Sequence, residues 1–289
     1  MTLRIKIVIL IIGLLFTLFW LYLMIVSKEK YEEQIADIDS DEYFLPGLFQ
    51  IGFCAIEKFN LDLHNSYFQK KLKNLIEIKG QEDAEYFLYV NVAGQISYVL
   101  TIIPIGMMFA LIVDSIEIVV LSFVCGLILA YYIDYTVLQA VNNRHENLLK
   151  DLPTVLSKMA LLINTGLILK EAWAKIAFNS NHELYLEMQK AEDEMNNGFS
   201  THEALMNFSK QCNVKEIKKF ISVIEQNLEK GSGELAKSLR ELSEESWNEK
   251  KQRTIQKGAA ADSKLLIPTG IIFMGILIVI IVPLFTNMF

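Results

Sequence analysis

The amino-acid sequence predicts an all-α membrane protein in which a polar helical bundle lies between membrane-spanning segments. Hydrophobic residues make up 52% of the 289 residues while 21% are charged, and the charged residues are concentrated between the apolar runs. Helix caps and apolar residues at helical spacing recur in the polar part, and no segment reads convincingly as a strand. Together these observations predict a polytopic protein with four transmembrane helices and a six-helix bundle between the third and the fourth.

The first apolar run, Ile7–Val26, is long enough to cross a hydrocarbon core of about 30 Å. A secretory signal peptide is the alternative, because Arg4 and Lys6 precede the run. The run is longer than a usual signal-peptide core, however, and Ser27–Lys30 has no small-residue cleavage pattern. We therefore predict a retained transmembrane anchor over residues 1–26.

A second apolar stretch, residues 96–137, is too long for one span and is interrupted near its middle by the polar turn Asp114–Glu117. It predicts a hairpin of two membrane-spanning helices, Ile96–Val113 and Glu117–Val137. The last apolar run, Leu265–Phe285, predicts the fourth span, within a C-terminal transmembrane segment over residues 265–289.

Lysine and arginine residues cluster on one side of the last two spans, and the positive-inside rule places that side in the cytoplasm. The polar block 138–264 is therefore predicted to be a cytoplasmic domain of a cell-membrane protein. Because the chain changes sides at each span, counting back from the central block places residues 27–95 in the cytoplasm and the N-terminus outside. Arg4 and Lys6 argue weakly against the external N-terminus. The clustered residues are Arg144, Lys150, Lys250, Lys251, Arg253, Lys257 and Lys264.

Helix start and stop signals divide the polar block into six helices. Pro153 suits the first turn of a helix, and Gly166 and Gly198 suit left-handed helix ends. The predicted helices are one from Pro153 to before Gly166, then Ile168–Phe178, Glu183–Asn196, one after Ser200, one after Asn213, and one from Glu234 to about Lys257.

Two further signals mark the helices in the second half of the block. Ser200 and Glu203 have the spacing of a capping box, in which each side chain binds the backbone amide of the other residue. Asn213–Glu216 repeats that spacing, and Gly231 is predicted to close the fifth helix.

The segment 27–95 is smaller and more acidic than the central block. Leu45-Pro46-Gly47 marks a turn. The apolar residues that follow suggest a short amphipathic helix, and the segment is predicted to be a reduced helical domain. These residues are Leu72, Leu75, Ile76 and Ile78.

Seven carboxylates are candidates for binding partners. Asp134 lies about one turn from the cytoplasmic end of the third span, where an ionisable residue is a functional hypothesis; a place at the headgroup level, within reach of water, explains it as well. Asp114 and Glu117 occupy the outer turn of the hairpin. An acidic group in the last polar helix either docks a basic partner or forms a solvated face, and consists of Glu241, Glu244, Glu245 and Glu249.

Motifs for catalysis, metals or cofactors do not stand out. The four histidines are dispersed, and the three cysteines lie far apart without a CxxC pair. Gly231–Ser238 matches a nucleotide-binding loop except that Ala236 replaces its second glycine, and it follows a helix instead of a strand. The net charge of −7 and the absence of a basic stretch argue against nucleic acid. We predict a non-enzymatic protein without metal, cofactor or nucleic-acid partner.

The central block contains a series of short motifs in a set order. They are Leu152-Pro153-xx-Leu156-xx-Met159-Ala160, Asn164-Thr165-Gly166, Gly198-x-Ser200-xx-Glu203-Ala204-Leu205, Gln226, Gly231-xx-Leu235-Ala236-xx-Leu239, Lys257, Ala261-xx-Lys264-Leu265, Pro268 and Pro283. Each motif is weak alone, but their order and spacing, ending in a transmembrane helix, are rather specific. In this order they resemble the F domain of type II secretion and type IV pilus platform proteins, over roughly Glu146–Phe289.

Family members with two F domains have a full cytoplasmic bundle before the first hairpin, whereas this chain has a short segment and an extra N-terminal span. That layout resembles the TadC branch of the tight-adherence (Flp) pilus machinery. The resemblance implies an inner-membrane platform that binds an assembly ATPase of the secretion family and couples it to pilin insertion. It also implies pilin or prepilin transmembrane helices, a paralogous platform subunit and membrane lipid as partners, in a homo- or hetero-oligomer.

A membrane-anchored helical signalling or scaffold protein unrelated to secretion is the alternative. It would predict long coiled-coil heptads across the spans, and the short capped helices argue against that. A transporter would predict more spans and more polar residues in mid-membrane than this sequence has.

Overall fold

The computed structural model describes residues 3–27, 30–31, 35, 38, 43–63, 65–227 and 232–286. No strand occurs in these ranges, so the predicted all-α class is confirmed there. The chain forms two compact units, unit 1 from Met1 to Arg144 and unit 2 from His145 to Phe289. The longer helices in the described ranges are α1 (Leu3–Ser27), α2 (Phe49–Phe59), α3 (Ser66–Lys79), α4 (Ala84–Val113), α5 (Glu117–Asn164), α6 (Leu169–Ala177), α7 (Glu183–Asn196), α8 (Thr201–Cys212), α9 (Lys215–Asn227) and α10 (Ser232–Thr286), and a short 3-10 helix spans Pro46–Leu48.

Four of these helices are long and apolar enough to cross a membrane, which is the number that the sequence predicts. They are α1 over Lys6–Ser27, α4, α5, and α10 over Gly233–Val279. In the last of these, none of the most apolar window is buried inside the protein. A helix that is apolar on every side and uncovered by protein is suited to a lipid environment.

The hairpin turn lies where the sequence predicts it, since α4 ends at Val113 and α5 begins at Glu117. The other ends of these helices differ from the predicted spans. Helix α4 begins at Ala84, twelve residues before Ile96, and α5 continues past Val137 into unit 2. The last residues of the segment 27–95 are thus the first turns of a membrane-spanning helix.

Unit 1 is built around α4. Helix α1 runs antiparallel to it, because the Trp20 indole N–H donates to the Thr101 hydroxyl at 3.1 Å and Lys6 pairs with Asp114 at 2.8 Å. Two contacts spaced along both helices show that α1 and α4 lie side by side over most of their apolar length.

Helix α2 crosses α4 at a very close approach centred on Gly52. A Cβ atom added to Gly52 would lie 1.9 Å from the carbonyl oxygen of Ala93, and the Gly52 N–H donates to the Ser97 hydroxyl at 2.8 Å. Phe49 and Phe53, on either side of this point, are buried. This packing gives α4 protein contacts before it reaches the predicted span, which explains its early start.

Unit 2 has one core, to which the end of α5, helices α6–α9 and the start of α10 contribute. Trp173 lies at its centre, with the ring of Phe220 stacked at 6.1 Å and the edge of Phe208 at 5.1 Å. The buried Trp173 N–H donates to the carbonyl of Met188 at 3.0 Å. The six helices of unit 2 follow the order that the start and stop signals predict.

The predicted helix ends of unit 2 are mostly confirmed. Gly166 and Gly198 have φ values of 96° and 100°, which favour glycine. Ser200 and Glu203 form the capping box: the Glu203 N–H donates to the Ser200 hydroxyl at 3.2 Å, and the Ser200 N–H donates to the Glu203 carboxylate at 3.1 Å. Hydrogen bonds from the Ser200 side chain and backbone lower the pKa of Glu203. Gly231 lies outside the described residues.

The prediction that Pro153 lies in the first turn of a helix is wrong. Helix α5 arrives continuously from the membrane span and includes Pro153 in its interior. A proline there removes one backbone hydrogen bond. The hydroxyls of Ser157 and Ser243 donate to the carbonyl of Pro153 at 2.9 and 3.2 Å, so α10 bonds to α5 beside the proline.

The second predicted capping box, Asn213–Glu216, is also wrong. Asn213 has a φ of 48° and ends α8, with its N–H donating to the Ser209 carbonyl at 3.2 Å. Its side-chain oxygen accepts a hydrogen bond from Lys218 at 2.6 Å. An N-cap needs extended backbone, whereas a left-handed residue closes a helix.

We expect Gly52→Ala to destabilise unit 1, because the added Cβ meets a backbone carbonyl that cannot rotate away. Overpacking costs about 1–3 kcal/mol, and a clash with backbone belongs at the upper end of that range. Thermal unfolding of the detergent-solubilised protein measures the effect. Gly47→Ala is the matched control, because a Cβ there has no neighbour within 4 Å. Equal midpoints for the two variants would contradict the close approach.

Candidate functional site

The outer turn of the hairpin places Asp114 beside a cation from α1. Asp114 ends α4 with a φ of 62°, and its carboxylate pairs with Lys6 at 2.8 Å. The hydrogen bond from Lys6 lowers the pKa of Asp114. Glu117 begins α5 and accepts a hydrogen bond from the Ser115 hydroxyl at 3.3 Å. Of the two carboxylates that the sequence proposes at this turn, Asp114 joins α1 to the hairpin.

Asp134, near the other end of the hairpin, is the centre of a polar cluster formed by three helices of unit 1. One carboxylate oxygen accepts from Lys71 of α3 at 2.7 Å and from the Gln95 amide of α4 at 2.7 Å. The other accepts from the Tyr67 hydroxyl at 3.4 Å, and Lys71 also donates to Gln95 at 3.3 Å. The cluster joins α3 to both helices of the hairpin.

Sequence reasoning missed Lys71 and Gln95 as partners of Asp134. The signals were present but lie far from Asp134 in the chain: a lysine in the amphipathic helix α3, and an amide at the edge of an apolar run. Only 16% of the Lys71 side chain and 29% of the Asp134 side chain are exposed. A pair so shielded is screened little by salt, and removal of one partner leaves a costly buried charge.

Of the four residues in the acidic group on α10, two form short ion pairs with residues of their own unit and two do not. Glu245 pairs with Lys219 at 2.6 Å, and Glu249 pairs with Arg253 at 3.0 Å. Glu244 lies 3.7 Å from Arg240 in a highly exposed pair, which contributes little to stability. Glu241 is exposed and has no ion-pair partner in the described part of the chain. Two of the four carboxylates therefore remain accessible to a partner.

Beside this surface, α5 and α10 enclose a groove of about 580 Å³. Small side chains form much of its lining, and Leu161 and Trp247 stand on it with 64% and 45% of their surface exposed. Exposed tryptophan beside arginine is typical of protein interfaces. We call this feature the α5–α10 groove; it is lined by Ser157, Ala160, Leu161, Asn164, Gly233, Ala236, Lys237, Arg240, Ser243, Glu244 and Trp247.

The segment that imitates a nucleotide-binding loop is helical over residues 232–238, as the start of α10. The described part of this segment is therefore helix and not a phosphate-binding loop, and Lys237 is exposed on the helix surface. Within the described ranges, no group of three or more histidine, cysteine, aspartate or glutamate side chains has the geometry of a metal site. The ion pairs described above are suited to holding helices together, and the α5–α10 groove is suited to docking.

Comparison with protein families shows that residues 155–283 match the model of type II secretion system (T2SS), protein F. The match begins in the last part of α5 and ends within the apolar part of α10. No curated protein and no solved structure matches the chain. Residues 155–283 are thus similar to that family, and the four apolar helices together with this match support a membrane protein.

We expect Asp134→Asn to destabilise unit 1, because Lys71 then keeps a shielded charge without its counter-ion. Hydrogen bonds to charged groups contribute about 1.5–3 kcal/mol, and the loss is measurable by thermal unfolding. The exchanged pair Lys71→Asp with Asp134→Lys is expected to recover part of the loss. Asp193→Asn on α7 is the control. An exchanged pair that is less stable than either single charge reversal would contradict a direct interaction.

Proposed function

Because residues 155–283 match the model of the type II secretion system protein F family, we propose that the chain is an inner-membrane platform protein of a pilus assembly machine. The family match supports a platform protein related to type II secretion and type IV pili in general. The finer proposal is the tight-adherence (Flp) branch, in which the platform couples a cytoplasmic assembly ATPase to the insertion of pilin into a filament. The position of the family match, residues 155–283, behind an additional first span over Lys6–Ser27 supports this branch.

The continuity of α10 is the observation that carries the coupling proposal. The first turns of α10 pack in the core of unit 2 through Leu235, Leu239 and Leu242. The same helix extends without a break to Thr286 and includes the exposed apolar part of the fourth span. A displacement applied to the core of unit 2 therefore has an unbroken helix along which to reach the membrane.

The orientation that we propose places unit 2 in the cytoplasm, as the positive-inside rule predicts. The Lys6–Asp114 pair supports the remaining step, because it brings the start of α1 to the same end of unit 1 as the hairpin turn. The lysine that argued against an external N-terminus has a counter-ion there. Its charge is thus compensated on the outer side.

We expect cysteines introduced at Arg4 and Ile116 to react with a membrane-impermeant maleimide in intact spheroplasts. Asn181→Cys, in an exposed loop of unit 2, is expected to react only after permeabilisation. The background is Cys125→Ser, since Cys54 and Cys212 are buried. If only Asn181→Cys is labelled from outside, the topology is the inverse of the proposed one. If Arg4→Cys and Ile116→Cys are labelled from opposite sides, the antiparallel pairing of α1 with α4 is contradicted.

We further propose that the ATPase docks on the exposed carboxylates of α10 and the adjoining α5–α10 groove. Glu241 and Glu244 are accessible there, and Leu161 and Trp247 supply apolar area. An exposed acidic surface next to a tryptophan suits a partner that presents basic and apolar side chains together.

We expect Glu241→Lys with Glu244→Lys to reduce co-purification of the assembly ATPase about tenfold or more, because two attractive contacts become repulsive. Asp193→Lys, near the end of α7, reverses an exposed charge elsewhere on unit 2 and is the control. Unchanged retention by the double variant would reject this docking surface. Failure of the unaltered protein to retain any such ATPase would reject the motor coupling itself.

A further inference from the structure

We infer that the polar face of α3 binds the phosphate groups of anionic lipids at the membrane surface, through Lys70 and Lys73. Helix α3 carries four lysines and a single acidic residue, Glu77. The inference depends only on the membrane embedding of unit 1, and not on the proposed coupling to a motor.

The contacts of α3 show that it stands beside the first half of α4, antiparallel to it. Near its start, Lys71 bonds to Gln95 at 3.3 Å. At its end, Lys79 lies 4.3 Å from the centre of the Phe87 ring. The two contacts are separated by eight residues on each helix, so position along α3 can be read against position along α4.

The edge of the hydrocarbon core lies close to the start of α3. A core of about 30 Å takes about 20 helical residues. Counted from the hairpin turn, that length reaches the neighbourhood of Gln95 in α4 and of Asp134 in α5. Because Lys71 contacts both residues, the first two turns of α3 lie at the depth of the lipid headgroups.

The side chains around Lys71 suit that depth. Tyr67, one turn earlier on α3, has 57% of its surface exposed while its hydroxyl donates to Asp134. Tyrosine is enriched at the boundary between hydrocarbon and headgroups, where its ring and hydroxyl meet different environments. The cluster around Asp134 thus holds α3 against the hairpin at the membrane boundary.

Lys70 and Lys73 are the uncommitted charges at this depth. Both are exposed and have no ion-pair or hydrogen-bond partner within the described residues. They lie on the face of α3 opposite Leu75, which is buried against the rest of unit 1. Lys71 and Lys79, in contrast, contact groups of unit 1.

Two ammonium groups without counter-ions at headgroup depth match the chemistry of lipid phosphates. Phosphate oxygens accept hydrogen bonds from ammonium groups, and lysine near an anionic bilayer surface gains about 1 kcal/mol per residue, a factor on the order of five. A zwitterionic headgroup carries its own ammonium group and therefore neutralises less of the charge of the two lysines. The expected ligand is therefore an anionic phospholipid such as phosphatidylglycerol.

Lysine acetylation of the full-length protein in nanodiscs tests this inference. Discs of phosphatidylcholine alone are compared with discs containing phosphatidylglycerol, and a water-soluble acetylating ester is read out at each lysine by peptide mass spectrometry. We expect anionic lipid to slow the modification of Lys70 and Lys73 on the order of five-fold. Lys237, exposed on α10, is the control and is expected to change little by comparison.

Three outcomes would overturn the inference. If anionic lipid slows the acetylation of Lys70 and Lys73 no more than that of Lys237, no anionic lipid binds there. Equal protection by inorganic phosphate in phosphatidylcholine discs would show a site for soluble anions. Finally, the variant Lys70→Gln with Lys73→Gln is expected to retain several-fold less phosphatidylglycerol in native mass spectrometry than Lys237→Gln does. Equal retention by the two variants would overturn the inference.

Discussion

An unpaired charge is costly near hydrocarbon, and unit 1 meets this constraint with one lysine–aspartate pair towards each end of its hairpin. Lys6 pairs with Asp114 at the outer turn, and Lys71 pairs with Asp134 at the opposite boundary. The first pair positions α1 beside the hairpin, and the second positions α3 there. The Lys6–Asp114 pair supports the antiparallel arrangement of α1 and the proposed side of the N-terminus, and the Lys71–Asp134 pair supports the depth assigned to α3.

The same constraint changes the roles of the candidate carboxylates. Asp114 and Asp134 were candidates for binding a partner, but each has a cation from its own chain. A partner that takes either carboxylate has to displace a lysine first. On α10, by contrast, Glu241 and Glu244 are accessible beside an exposed tryptophan. The proposed division of labour gives the hairpin a structural role and the α10 surface of unit 2 a docking role.

The sequence predicted most of unit 2 because its signals are local. A glycine in a left-handed conformation and a capping box act within one helical turn, so Gly166, Gly198, Ser200 and Glu203 were read correctly. Pro153 and Asn213 were misread for the same reason. Each is compatible with a helix start by its local pattern, and only the continuity of α5 and the backbone angle of Asn213 excluded that reading.

The sequence by itself determined the four apolar spans, the all-α class and the order of helices in unit 2, because length, hydropathy and caps depend on neighbouring residues. Only the tertiary structure decided which charges meet. Lys71 is 63 residues from Asp134, and Lys6 is 108 residues from Asp114. No local pattern joins residues so distant; close helix packing does, as where Gly52 allows α2 to approach the carbonyl of Ala93.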